Sequence, residues 1–265
     1  MTIGKCPMCL KTKQPVSSHL LPAALYRFVD PPDGDPIFFS SEVILASSRQ
    51  LQHPLLCFDC EHILNSKGEN WFVPQLARID GEFPFFDLLT AYSPVVSDGD
   101  SSCYAAAQNP QIDVASVVHF AMGIFWKAAI HSWKGASDSP LIDLGRHVEP
   151  IRKYLLGDES WPADAVLMVG ILPKPVKHIA LYQPYQGSSE AKNNFLFYVP
   201  GVEFTLLLGQ EITREQRTAC FSANPNNPVI VVDFSPMLRE IFRDVTKDAH
   251  RAANVQKLFK KPETN

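Results

Sequence analysis

No stretch of the 265-residue chain is apolar for long enough to cross a bilayer. The longest apolar run, residues 114–126, contains His119 and is followed at once by Lys127. The first residues hold no apolar segment of signal-peptide length; Met1 to Lys13 carries three lysines and two cysteines instead. A surplus of positive charge is missing too. The formal net charge is −4, so no overall field draws the protein toward nucleic acid, which argues against a general, high-affinity DNA binder. It leaves room for an enzyme that meets a phosphate backbone at one local site. There is also no internal repeat, no phosphate-binding glycine loop, no nucleophile elbow and no dinucleotide fingerprint. The expectation is a soluble, cytosolic protein of bacterial type.

What is present describes a folded globular chain: 46% of residues are hydrophobic and 20% charged. The length suits one large domain or two modest ones. Six cysteines in a reducing compartment are not a disulfide framework. Four of them fall into two CxxC pairs, Cys6/Cys9 and Cys57/Cys60, while Cys103 and Cys220 stand alone and read as buried or idle thiols.

Residues 93–112 are small, polar and aperiodic, the composition of a linker or surface loop. A boundary there divides the chain into a cysteine-bearing module, 1–95, ending in a short helix over 83–92, and a second domain, 113–265. The second domain opens with a helix over 113–133 that is apolar on nearly every face and so belongs in a core. A second helix is expected over 147–156. Five runs rich in β-branched and aromatic residues follow, at 166–172, 178–183, 194–199, 203–209 and 227–234, each bounded by turn-forming residues as strands are. A closing helix spans about 236–260. The fold class expected is α+β, with a mixed helix and mostly antiparallel sheet domain after the cysteine module.

Two CxxC turns supply the four soft, deprotonated ligands that a tetrahedral zinc ion takes. The first pair lies in CPMC and the second in LLCFDCE, with apolar residues leading in and a helix leading out. Strand, knuckle and helix in that order is a treble-clef arrangement. Residues 10–56 separate the pairs, too many for a compact zinc ribbon, so something is inserted between the knuckles. The insert begins with Ser18–His19–Leu20–Leu21–Pro22.

With CPMC, SHLLP and LLCFDCE in order, residues 1–75 resemble the four-cysteine HNH endonucleases of the His-Me finger, or ββα-metal, group. The resemblance implies metal-dependent hydrolysis of phosphodiester bonds in DNA or RNA. It makes His19 the general base and Cys6, Cys9, Cys57 and Cys60 the ligands of a structural Zn²⁺. The family's remaining active-site groups lie on the helix after the second knuckle. There Glu61 is a hard oxygen ligand for Mg²⁺ or Mn²⁺, and Asn65 and Glu69 follow at four-residue intervals on the same helical face. Three positions depart from the family pattern. Glu61 itself stands where a His commonly follows the last Cys, with His62 next. Ser18 stands where Asp or His usually binds the metal, and residues 20–56 contain no Asn to orient the base. The alternative is therefore a zinc module that has lost catalysis and binds protein or nucleic acid. On the nuclease reading His19 lies within a few ångströms of Glu61, which should raise the pKa of the imidazole when no metal is bound.

Two other features read as structural. On the last helix Arg239, Arg243, Lys247 and Arg251 form a basic stripe, but Glu240, Asp244 and Asp248 each precede a base by three residues and neutralise it. His119, Trp126 and His131 are placed in the core, and His53 in a structural loop.

Overall fold

Short runs of Val, Leu, Ile, Phe and Tyr closed by Pro, Gly or Asn form the centre of the protein. The computed structural model describes residues 3–28, 37–39, 44–46, 50–78, 80–98, 101–133, 140–172, 181–187, 193–222 and 229–232. Four expected strands pair in a row: β10 (Leu181–Gln186), β11 (Asn194–Val199), β12 (Val202–Leu208) and β9 (Ala165–Ile171), all antiparallel. The fifth, β13 (Val229–Val232), lies parallel to β9. The ends of the 178–183 and 227–234 runs and the whole of 236–260, with its basic stripe, lie outside the described residues.

The sheet is wider than the sequence pattern suggests. Its order is β5-β4-β10-β11-β12-β9-β13-β8-β7. The hairpin β4 (Ile37–Phe39) and β5 (Ile44–Ala46) comes from the insert between the knuckles, and β4 runs parallel to β10. At the other edge, β7 (Val96–Asp98) and β8 (Ser101–Tyr104) extend the sheet from β13. These two strands lie inside the expected linker 93–112. Their Ser-rich composition reads as loop because short strands at and next to a sheet margin draw on backbone pairing more than on apolar side chains.

Helix α5 (Val114–Ile130) packs on this sheet as its all-round apolar sequence requires. Asp113 caps it, accepting from the Ser116 N–H at 3.0 Å and from the Ser116 hydroxyl at 2.7 Å. Phe120 and Phe125 meet Phe197 and Phe204 of the sheet, and Phe120 meets Phe72 from the cysteine-bearing half. One hydrophobic core runs from Cys6 and Met8 through Phe72, Phe85 and Trp126 to Phe204 and Phe221. Described residues of both 1–95 and 113–265 contribute to this core. The β11–β12 turn reinforces the join. Gly201 takes φ +81°, a Cβ there would fall 2.6 Å from Phe83, and Pro200 O accepts from Ala77 N at 3.1 Å.

The other expected helices are present: α4 (Pro84–Thr90) and α6 (Val148–Leu156). The fold is mixed α+β. Among the described residues no helix is long and apolar enough to cross a membrane.

Candidate functional site

The first knuckle is a tight hairpin. Strands β1 (Gly4–Lys5) and β2 (Thr12–Lys13) pair across it, and the Leu10 N–H closes the turn onto Cys6 O at 2.9 Å. Leu10 adopts φ +61°, a left-handed conformation that costs a non-glycine residue about 1 kcal/mol. The second knuckle joins β6 (Gln52–Cys57) to α2 (Phe58–Leu64), with Cys57 at the helix N-cap and Cys60 in its first turn. All four sulfurs lie within 4.8 Å of one another, and Cys9 and Cys57 are 3.8 Å apart. Tetrahedral zinc at a Zn–S distance near 2.3 Å places sulfurs about 3.8 Å apart, so the donor set fits that ion. Burial pushes the Cys6 thiol up, but backbone N–H groups of Cys57, Cys9 and Met8 more than offset it and leave it at about 7. Burial raises Cys57 and Cys60, and neighbouring thiols raise Cys60 further. Four sulfurs this close cannot all ionise without a cation among them. Among the described residues this is the one group of three or more His, Cys, Asp or Glu ligand atoms gathered closely enough for a metal.

His19 ends β3 (Pro15–His19), which pairs antiparallel with β6 so that His19 faces Gln52. The register slips between Val16 and Ser17, and Leu55 is the extra residue of a bulge. The Leu56 N–H then turns to the Ser18 hydroxyl, which accepts at 3.0 Å. Ser18 is fully buried. The residue before the histidine therefore serves the ribbon rather than a metal.

After α2 the helix widens into a π turn, Asn65–Glu69, before returning to α geometry at α3 (Asn70–Phe72). Eight residues of α-helix overshoot two full turns by about 80°. The wider turn takes up part of that overshoot and brings Glu69 back toward the face of Glu61. The two carboxylates feel each other: Glu69 is raised by burial, lowered by Lys127 and raised again by Glu61. Glu61 Oε1 is buried and has no hydrogen-bond partner among the described residues. Asn65 is half-buried in the π turn. Gly68 makes the turn possible, because a Cβ would stand 2.7 Å from Phe120 N and 2.9 Å from its Cα.

Helix α5 contributes a group the sequence pattern did not single out. Lys127, 2% exposed, donates from Nζ to the backbone carbonyl of His19 at 2.6 Å and lies 3.8 Å from Glu69 Oε1. Its presence in a helix buried on nearly every face was the available signal, since a buried lysine demands a partner. Arg152 of α6 plays a parallel part. It is buried, paired with Glu149, and donates to Met8 O in the first knuckle.

His19 is half-buried. Burial holds its imidazole below the usual range and Lys127 adds to that, while Glu61 and a hydrogen bond with the Gln50 side chain pull upward. The expected rise is reversed because desolvation and the buried ammonium outweigh the carboxylate. The balance favours the neutral imidazole, the form that can accept a proton.

His119 is buried with Nε2 on Leu155 O at 3.0 Å, as a core residue. His53 lies in strand β6 rather than a loop and stacks at 4.2 Å on His131, which is half-buried at the end of α5. The pair, with Lys5 and Lys13, lines an open cleft of about 330 Å³ beside the first knuckle. The chain matches no protein-family model, no curated protein and no solved structure.

Proposed function

We propose that residues 1–75 are a treble-clef zinc module of the HNH type and that the protein hydrolyses phosphodiester bonds of DNA or RNA. The observation that carries this reading is the orphaned Oε1 of Glu61, a buried carboxylate oxygen electrostatically coupled to His19 on the facing strand. A buried, unpartnered carboxylate oxygen is costly, and a divalent cation is one way to satisfy it. Cys6, Cys9, Cys57 and Cys60 would hold Zn²⁺, which ties the start of α2 to the ribbon bearing the histidine. Glu61 would hold Mg²⁺ or Mn²⁺, whose charge offsets the charge that develops on the leaving oxygen. His19, neutral and aligned by the Gln50 side chain, takes the proton from the attacking water. Lys127 fixes the backbone carbonyl of the same residue, so the ring leaves a rigid strand end.

A second reading, a zinc module that binds protein or nucleic acid without cleaving it, is favoured by one observation. The hydroxyl of Ser18, at the family's metal-ligand position, is committed to Leu56. Incubating zinc-loaded protein with DNA and RNA in Mg²⁺ or Mn²⁺ separates the two. On the nuclease reading, wild type cleaves, and His19→Ala loses on the order of 10²–10⁴ in rate with its zinc content and fold intact. Absence of cleavage in either ion, with nucleic acid or a protein partner still bound, gives the second reading the field.

A further inference from the structure

We infer that Lys127 is a positioning residue of this site: its ammonium withholds Glu69 from a divalent ion and leaves Glu61 as the one carboxylate open to it. The inference rests on the nuclease reading. Lys127 is buried within the core, where water cannot serve its three N–H groups. One reaches His19 O, and Glu69 supplies the opposite charge at 3.8 Å. A divalent ion drawn to Glu69 would face that ammonium across a poorly solvated gap, where like charges repel strongly. It would also leave a buried cation without its counter-charge. Glu61 is under neither constraint, because its Oε1 has no partner among the described residues.

One carboxylate is a thin anchor for Mg²⁺ or Mn²⁺, which gives up its water reluctantly and commonly completes its shell with substrate phosphate oxygens. Capture of the ion is therefore coupled to the phosphodiester. The free protein binds it weakly, and protein with nucleic acid in place binds it well. Lys127 sets this order from helix α5, more than a hundred residues from the histidine it holds.

The test is Mn²⁺ binding to the zinc-loaded full-length chain, read from the electron paramagnetic resonance signal of free Mn²⁺. In wild type, weak binding is expected, unchanged by Glu69→Gln and lost in Glu61→Gln. A DNA or RNA oligonucleotide added to the His19→Ala protein, which leaves it uncut, should tighten Mn²⁺ binding at least tenfold. Lys127→Met should tighten it about tenfold without nucleic acid, and adding Glu69→Gln to that variant should reverse the gain. If Lys127→Met does not fold, the Glu69→Gln comparison still decides. A loss of Mn²⁺ in Glu69→Gln as large as in Glu61→Gln overturns the inference while leaving the nuclease reading standing. Mn²⁺ binding indifferent to Glu61→Gln and to nucleic acid removes both.

Discussion

Replacing Gly68 by alanine should destabilise the protein, although the same change in an open helix would help it. Glycine costs a helical segment about 1 kcal/mol relative to alanine, so that much stands to be gained. Against it, the new Cβ would lie 2.7 Å from Phe120 N, 2.9 Å from its Cα and 3.2 Å from its Cβ. Ordinary contact between such atoms is about 3.5–4.0 Å. Two of the three neighbours are helix backbone and cannot rotate away, so the π turn or α5 must move by the better part of an ångström. Overpacking of that kind costs about 1–3 kcal/mol, for a net loss of up to about 2 kcal/mol. Gly123, one turn further along α5, is the control. There a Cβ meets only Leu64 Cδ2, at 3.2 Å and at the free end of a side chain. Gly123→Ala should be neutral or stabilising by up to about 1 kcal/mol. Urea titration of both variants, zinc-loaded, gives the two signs directly. Equal effects would refute the claim that the π turn sits hard against the α5 backbone.

Metal analysis should return one zinc per chain, and chelation should loosen residues 1–75 in hydrogen exchange before the sheet strands β9, β11 and β12; an apoprotein with unchanged protection would contradict this. A fragment lacking residues 1–95 should fail to unfold cooperatively, because it forfeits Phe72, Phe83 and Phe85 from the shared core; a sharp, two-state transition in the fragment would show that the second part stands alone. Glu203 is raised to about 7 by burial, with the Thr205 hydroxyl bonded to it at 3.3 Å. A carboxyl whose folded pKa exceeds its unfolded value stabilises at low pH and loses that contribution as pH rises from about 4.5 through 7. Glu203→Gln should therefore raise the unfolding free energy at pH 8 by on the order of 2 kcal/mol and change little at pH 4; a pH-independent effect would put the residue in a solvated setting.

The parts of this architecture that were readable in the sequence are those governed by local pattern. The CxxC spacing announced the sulfur cluster, the continuous apolar run announced α5, and bounded β-branched runs announced β9 to β13. What escaped was non-local. The strands β4, β5, β7 and β8 are short and draw their stability from pairing with neighbours far away in sequence, which their composition does not display. A π turn is invisible to a reading at 3.6 residues per turn, so Glu61, Asn65 and Glu69 were aligned by a spacing the helix does not keep. Lys127 and Arg152 belong to helices α5 and α6, more than a hundred positions along the chain from the carbonyls they grip, those of residues 19 and 8. Nothing near either residue in sequence says where its partner lies.

The distance along the chain between the halves of the sulfur cluster has a consequence for how the protein assembles. Cys9 and Cys57 stand 48 positions apart. Bringing the ends of such a loop together costs about 3 kcal/mol of chain entropy beyond a fixed constant. In a dilute solution the two halves of one chain still find each other first. In a crowded refolding mixture, a CxxC pair that has already captured zinc can be completed by the pair of a neighbouring chain instead. Concentrated refolding with zinc present from the start should then trap exchanged dimers, whereas adding the metal after the sheet has formed should yield monomer.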